Sequence, residues 1–168
     1  EFGLRSQANA ARAWDEDRFA TQIVEVNVPV VDEDGTVTGE TQRVSKDGGI
    51  RPTTLEALSQ LSPVMDDGVH TAGASSQISD GSGAVLMMTA EKAAEQGLKP
   101  LARIVDTCLV GSDPVLMLTG PIEATRHLLE RNQMGMSDID VVEINEACAS
   151  VVLAWAREMN PDMDSVNP

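Results

Sequence analysis

Between residues 83 and 159, apolar runs of strand length alternate with segments of helical spacing, and this limits the fold more than any other feature. Gly83-Ala-Val-Leu-Met-Met88 is apolar throughout, as expected of a strand covered on both faces. Residues 91–96 read as a short helix stopped by Gly97, ahead of Pro100. Residues 101–110 read as a longer strand, and Gly120-Pro121 opens a helix with proline in its first turn. That helix carries Ile122, Thr125, Leu128 and Leu129 on one face. A strand at 141–144 and a helix at 147–159, ended by Asn160-Pro161, complete the series. Such alternation predicts right-handed crossovers and a largely parallel sheet in an α/β fold.

The earlier half is organised differently. Residues 1–14 read as an alanine-rich helix without a cap at its start, and 22–31 alternate Val and Ile as a strand does. Asp34-Gly35 is a hairpin signal leading into a second strand at 36–44. Thr53-x-x-Glu56 has the spacing of a capping box for a short helix bearing Leu55, Leu58 and Leu61. Residues 62–81, rich in Gly, Ser and Asp, read as irregular.

Charge and composition exclude several function classes. With 27 acidic against 12 basic residues the formal charge is −15, which repels nucleic acid and anionic membrane surfaces. No apolar run approaches the roughly 20 residues that span a bilayer, and the start does not resemble a signal peptide. A cytoplasmic protein with no membrane or nucleic-acid partner is the expectation. An anionic ligand would then need a local basic exception. Cys108 and Cys148 sit in apolar stretches without CxxC spacing, so reduced thiols are expected.

The most informative junction is Asn145-Glu-Ala-Cys148, which follows the run Ile139-Asp-Val-Val-Glu-Ile144 directly. It puts a polar amide where a strand hands over to a helix, and open α/β sheets place their chemistry at such junctions. The segment from Asp138 to Ala147 resembles the Asn-Glu-Ala-Phe segment of the thiolases, which make or cleave 3-oxoacyl-CoA thioesters. The likeness extends along the chain. Arg5-Ser-Gln7 with Ala10, Arg18-Phe19 and Ile23-Val-Glu-Val26 is similar to the family's Ser-Gln helix and the strand after it. Ile50-Arg51 with Thr54-Leu-Glu-Ala-Leu58 resembles the segment that approaches the CoA nucleotide. Thr71-Ala-Gly-Ala-Ser-Ser-Gln-Ile-Ser-Asp-Gly81 is similar to the family's Thr-Ala-Gly-Asn-Ala-Ser-Gly-Ile-Asn-Asp-Gly loop, and Gly111-Ser-Asp-Pro114 and Gly120-Pro-Ile122 fit as well.

The resemblance implies a partial thiolase-like α/β fold. Residues 1–79 would belong to the loop domain, 80–98 to the last strand and helix of the N-terminal half, and 99–168 to the start of the C-terminal half. It also implies an acyltransferase working between a cysteine and coenzyme A, with CoA as substrate and no metal. The family's nucleophilic cysteine lies before the segment matching Glu1, and its Gly-His-Pro and Cys-x-Gly motifs lie after the segment matching Pro168. These residues alone are therefore expected to be inactive. A homo-oligomer, or association with the remainder of a thiolase, is the expected assembly; the alternative function is a non-catalytic CoA-binding or subunit-assembly protein.

Residue by residue, Asn145 matches the asparagine that acts through a bound water, with a later histidine, on the oxygen of the thioester enolate. An amide orients that water without changing its own charge. Asn is also a favoured helix N-cap, so capping remains the alternative. Ser76 matches the loop serine beside the pantetheine arm, where a hydroxyl can both donate to and accept from an amide; a turn-forming serine is the alternative. Ala74 and Gln77 depart from the family loop. Arg51 matches the arginine next to the CoA nucleotide, where a guanidinium can fork onto phosphate or lie on adenine; otherwise it is a solvated surface charge. Cys148, near a helix start where a thiol can be activated as a nucleophile, takes the place of the family's phenylalanine and shares spacing with Val152, Trp155 and Met159, so a packed thiol is preferred over a nucleophile. Cys108, His70 and His127 match no catalytic group and belong to no metal-spaced cluster.

Overall fold

The computed structural model describes residues 1–168, which divide into two compact units, Glu1–Ala74 and Ser75–Pro168.

In the first unit, helix α1 (Phe2–Asp15) is followed by strands β1 (Val26–Val31) and β2 (Val37–Val44) and by helix α2 (Leu55–Ser59). The strands form an antiparallel hairpin with Val26 opposite Val44 and Pro29 opposite Thr41, with a bulge between Pro29 and Val31. Its turn is closed by Asp32, whose Oδ1 accepts from the N–H groups of Asp34 and Thr36. Gly35 supplies the positive φ of 82° that the turn requires. Helix α2 is capped one residue later than its spacing predicts: Thr54 Oγ1, not Thr53, accepts from Ala57 N at 3.1 Å. Thr53 instead donates to the Arg51 carbonyl. Two glycines permit close packing of the 3₁₀ turn Ala72–Ala74. A Cβ on Gly3 of α1 would collide with the Gly73 carbonyl oxygen, and one on Gly73 would meet Leu58 Cδ2 at 2.5 Å and Leu61 Cδ1 at 3.0 Å.

The second unit holds helices α3 (Ala90–Glu95), α4 (Gly120–Arg131) and α5 (Ala149–Met159). Helix α3 is capped by Thr89, whose Oγ1 accepts from Lys92 N, and Gly97 at φ 65° follows it as the expected stop. Helix α5 ends at Asn160 in the left-handed conformation, immediately before Pro161. Buried in this unit are Val152, Trp155 and Val166, at 0%, 2% and 1% exposure, and Ala93 of α3. Trp155 Nε1 donates to Thr125 Oγ1 at 2.9 Å, and that hydroxyl donates to the Pro121 carbonyl. A residue expected on the apolar face of α4 is thus a polar relay tying α5 to α4. Arg126 adds ion pairs to Glu123 and Glu158.

The strands expected in this unit are not realised as a sheet. Residues 83–88 and 101–110 belong to no ladder, and the stretch 141–144 contributes one parallel bridge, Val142 to Val166. Val85 and Leu86 are each 81% exposed, and Leu101 and Leu109 are at least fully exposed. Side-chain periodicity is a local property, whereas a ladder needs a second strand 4.7–4.9 Å away, and none within these residues takes that place. The 101–110 stretch is nevertheless anchored. Asp106 accepts from Arg131 Nε and Nη2 and from Asn132 Nδ2, and Arg131 also donates to the Thr107 carbonyl. No helix is long and apolar enough to cross a membrane.

Candidate active site

Asn145 lies between the Val142 bridge and the start of α5, and both flanks of the residue are held. Upstream, Val142 N donates to the Ser165 carbonyl and Asn167 N donates to the Val142 carbonyl. Downstream, Ser76 N donates to the Ala147 carbonyl at 3.1 Å, and Ser75 and Cys148 form an antiparallel bridge. The Asn145 side chain itself is exposed and hydrogen-bonds no other group of the chain. It does not cap α5: Cys148 occupies the N-cap position, and its side chain makes no capping bond. The amide's N–H donors and its carbonyl acceptor are thus open to solvent.

Ser76 is brought beside this segment through its backbone, while its exposed hydroxyl donates to the Gln77 carbonyl at 3.2 Å. Local bonding of that kind fits the turn-forming role and leaves the oxygen lone pairs as acceptors. Arg51 belongs to the other unit. Its N–H donates to Gln7 Oε1 of α1, and its Nε reaches the Gly49 carbonyl at 3.5 Å, the outer limit of a hydrogen bond. The guanidinium is exposed.

Cys148 is half-buried ahead of α5, and of the face it was expected to share, Val152 and Trp155 are buried. Cys108 Sγ lies 3.8 Å from His127 Nδ1, a proximity that their 19-residue separation gave no sign of. No three His, Cys, Asp or Glu side chains gather as metal ligands. A groove of about 430 Å³ between α4 and α5 is lined by Ile122, Arg126, Arg157 and neighbouring residues, and neither Asn145 nor Ser76 borders it.

The carboxylates with displaced acidities are structural. Asp106 is held below the usual carboxylate range by the Asn132 amide, with the Thr107 N–H and Arg131 adding to the effect and desolvation opposing it. Asp113 is lowered by the N–H groups of Leu116 and Val115, in a turn. A residue missed from the sequence stands closer to Asn145. Asn167, at φ 46°, bonds to the residues on either side of it. Asn tolerates the left-handed conformation, which is the one property of Asn167 a sequence could have flagged.

The chain mixes helices with strands, and it carries an unbonded amide shortly before the start of a helix. Comparison with known sequences and structures narrows the class. Residues 1–91 match the pattern of the thiolase N-terminal domain and residues 98–168 that of the thiolase C-terminal domain. The chain belongs to the thiolase family. It is 47% identical over 153 residues to the 3-ketoacyl-CoA thiolase of Idiomarina loihiensis, a match covering 89% of this chain and 38% of that protein. The crystal structure of the Bacillus anthracis acetyl-CoA acetyltransferase superposes with a TM-score of 0.90 at 38% identity, covering 99% of this chain and 41% of the other. The dimeric peroxisomal thiolase of Saccharomyces cerevisiae gives 0.84 at 35% identity, covering 100% and 41%. The fold is a partial thiolase fold, and the chain spans about two fifths of the curated relatives it matches.

Proposed function

We propose that these residues form the middle portion of a thiolase that transfers an acyl group between a cysteine and CoA, by thiolysis of a 3-oxoacyl-CoA or by the reverse Claisen condensation. The observation that carries this reading is the free Asn145 amide between two fixed flanks, at the position matching the family's asparagine. In condensation, the enolate carbon of an acyl-CoA bonds to the acyl carbon on the cysteine, and the carbon–sulfur bond to the enzyme breaks with the electron pair leaving on sulfur. Negative charge gathers on the enolate oxygen before that bond forms. A water oriented by the Asn145 amide stabilises this charge, and prepositioned donors of this kind are worth about 3 kcal/mol each.

Ser76 would meet the pantetheine arm of CoA and Arg51 its nucleotide. The exposed guanidinium offers the local basic exception that a net charge of −15 otherwise denies an anionic substrate. The organisation that goes with this reading is loop domain for 1–79, end of the N-terminal half for 80–98 and start of the C-terminal half for 99–168. The exposed apolar runs fit partnership with the rest of a thiolase or with a second copy, and the yeast relative is described as dimeric.

The test is thiolysis of acetoacetyl-CoA by the complete gene product that carries these residues, compared with residues 1–168 alone. Turnover by the former and none by the latter is expected, because the family's cysteines and Gly-His-Pro histidine are not among these residues. Turnover by the 168 residues alone would overturn the assignment of roles.

A further inference from the structure

We infer that Asn167 is the positioning residue for Asn145, a role that rests on the function proposed above. Its side chain grips the two neighbours of Asn145 at once. Asn167 Oδ1 accepts from Ile144 N at 2.8 Å, while Nδ2 donates to the Ile144 carbonyl at 2.9 Å and to Glu146 Oε1 at 2.8 Å. Its own N–H donates to the Val142 carbonyl, so the same residue also continues the parallel contact of Val166 with Val142.

The geometry imitates one more rung of a sheet. An amide side chain presents an acceptor and a donor in one plane, as a peptide group does, and here it meets both polar groups of Ile144 in place of a neighbouring strand. The left-handed backbone at Asn167, φ 46°, allows side chain and main chain to face the same segment. Asn145, held on both sides, spends its own amide on neither neighbour. Asn167 therefore fixes the backbone on which that amide is mounted, without needing to touch substrate. Displacement of a reacting group by about 1 Å can cost on the order of 10²-fold in rate, which is why a clamp one residue away has kinetic weight.

Three substitutions in the complete gene product test this. Asn167→Gly keeps the left-handed backbone accessible and deletes the side-chain clamp. It should lower kcat for acetoacetyl-CoA thiolysis about 10-fold with KM for CoA within about 2-fold, the signature of an interaction that counts in the transition state. Added to Asn145→Ala, it should cost less than about 2-fold more, because a residue that acts through Asn145 has nothing left to position. Asn167→Asp preserves shape and the acceptor toward Ile144 N while losing the donor and setting a carboxylate against Glu146. It should lower kcat in the same direction and serves if the glycine variant folds poorly. Exchange of the Ile144 N–H should also quicken in Asn167→Gly, which loses its acceptor, and less in Asn167→Asp, which keeps it.

Multiplicative losses in the double variant would reduce Asn167 to a general structural residue, as would wild-type kcat in both Asn167 variants. Those outcomes differ from failure of the functional reading, which would show as an Asn145→Ala single variant with unchanged kcat.

Discussion

The two units solve the same problem, what to do with apolar strand-like sequence, in opposite ways. In Glu1–Ala74 the hairpin finds its partner six residues on, through a turn that Asp32 and Gly35 close. In Ser75–Pro168 the apolar runs 83–88 and 101–110 find none, and Val85, Leu86, Leu101 and Leu109 stay exposed. Local pairing completes itself within a short stretch. Non-local pairing depends on chain that lies far away in sequence. The candidate chemistry, Asn145 with Ser76 beside its segment, sits in the unit whose strands are open, whereas Arg51 sits in the self-closed one. Substitutions in the two units should therefore fail differently.

The largest effect should come from the open unit. Asn145→Ala in the complete gene product should lower the rate of thiolysis on the order of 10²-fold, as removal of one oxyanion donor does. Acylation of the cysteine by acetyl-CoA, a thioester exchange that forms no enolate, should be nearly unchanged when followed as a single-turnover burst; loss of both reactions together would show that Asn145 holds structure rather than the enolate oxygen.

Next comes a packing change in the closed unit. Gly3→Ala puts a methyl against the Gly73 carbonyl, a backbone atom that cannot swing aside. Overpacking costs about 1–3 kcal/mol, against up to about 1 kcal/mol gained by alanine in a helix. A net loss of about 1–2 kcal/mol is expected in urea titration. Gly73→Ala meets only the ends of Leu58 and Leu61, so it should cost less, and the reverse order would contradict the described contact.

Arg51→Ala should be milder. It should raise KM for CoA by about 10-fold or less and leave kcat unchanged, because a nucleotide contact is the same in ground and transition states. Thioesters of N-acetylcysteamine, which lack the nucleotide, should show no penalty. An equal effect on both substrates would return Arg51 to the surface charges.

The smallest effect is acid sensitivity at the anchor of the 101–110 run. Asp106 is bound more tightly by Asn132, Thr107 and Arg131 as a carboxylate than as an acid, so its folded pKa lies below the unfolded one. The stabilisation is complete above the ordinary carboxylate value near pH 4 and is lost as pH falls below it through the depressed folded value. Asp106→Asn should flatten the stability profile in that window alone.

How much of this was legible beforehand follows from range. The Asp34-Gly35 turn, the Gly120-Pro121 helix start and the Asn160-Pro161 stop are local chemistry, and each appears where its residues predict. Thr53 and Thr54 show the limit of spacing rules, since adjacent threonines offer two cap registers and only backbone geometry chooses. Asn145 stood out because its neighbours carry a family pattern. Asn167 did not, because its grip on Ile144 crosses 23 residues that nothing in a linear pattern joins. The sheet failed as a prediction for the same reason: apolar runs announce strands, but not where their partners are.

Burial of Trp155 has one more use. The chain has two tryptophans and no tyrosine, with Trp155 in the core of the second unit and Trp14 packed edge-on against Phe19 in the first. Its near-ultraviolet emission therefore comes from one reporter per unit, without tyrosine background. Replacing Trp14 with phenylalanine would leave a probe of the second unit alone, so the order in which the two units melt can be read optically without an introduced label.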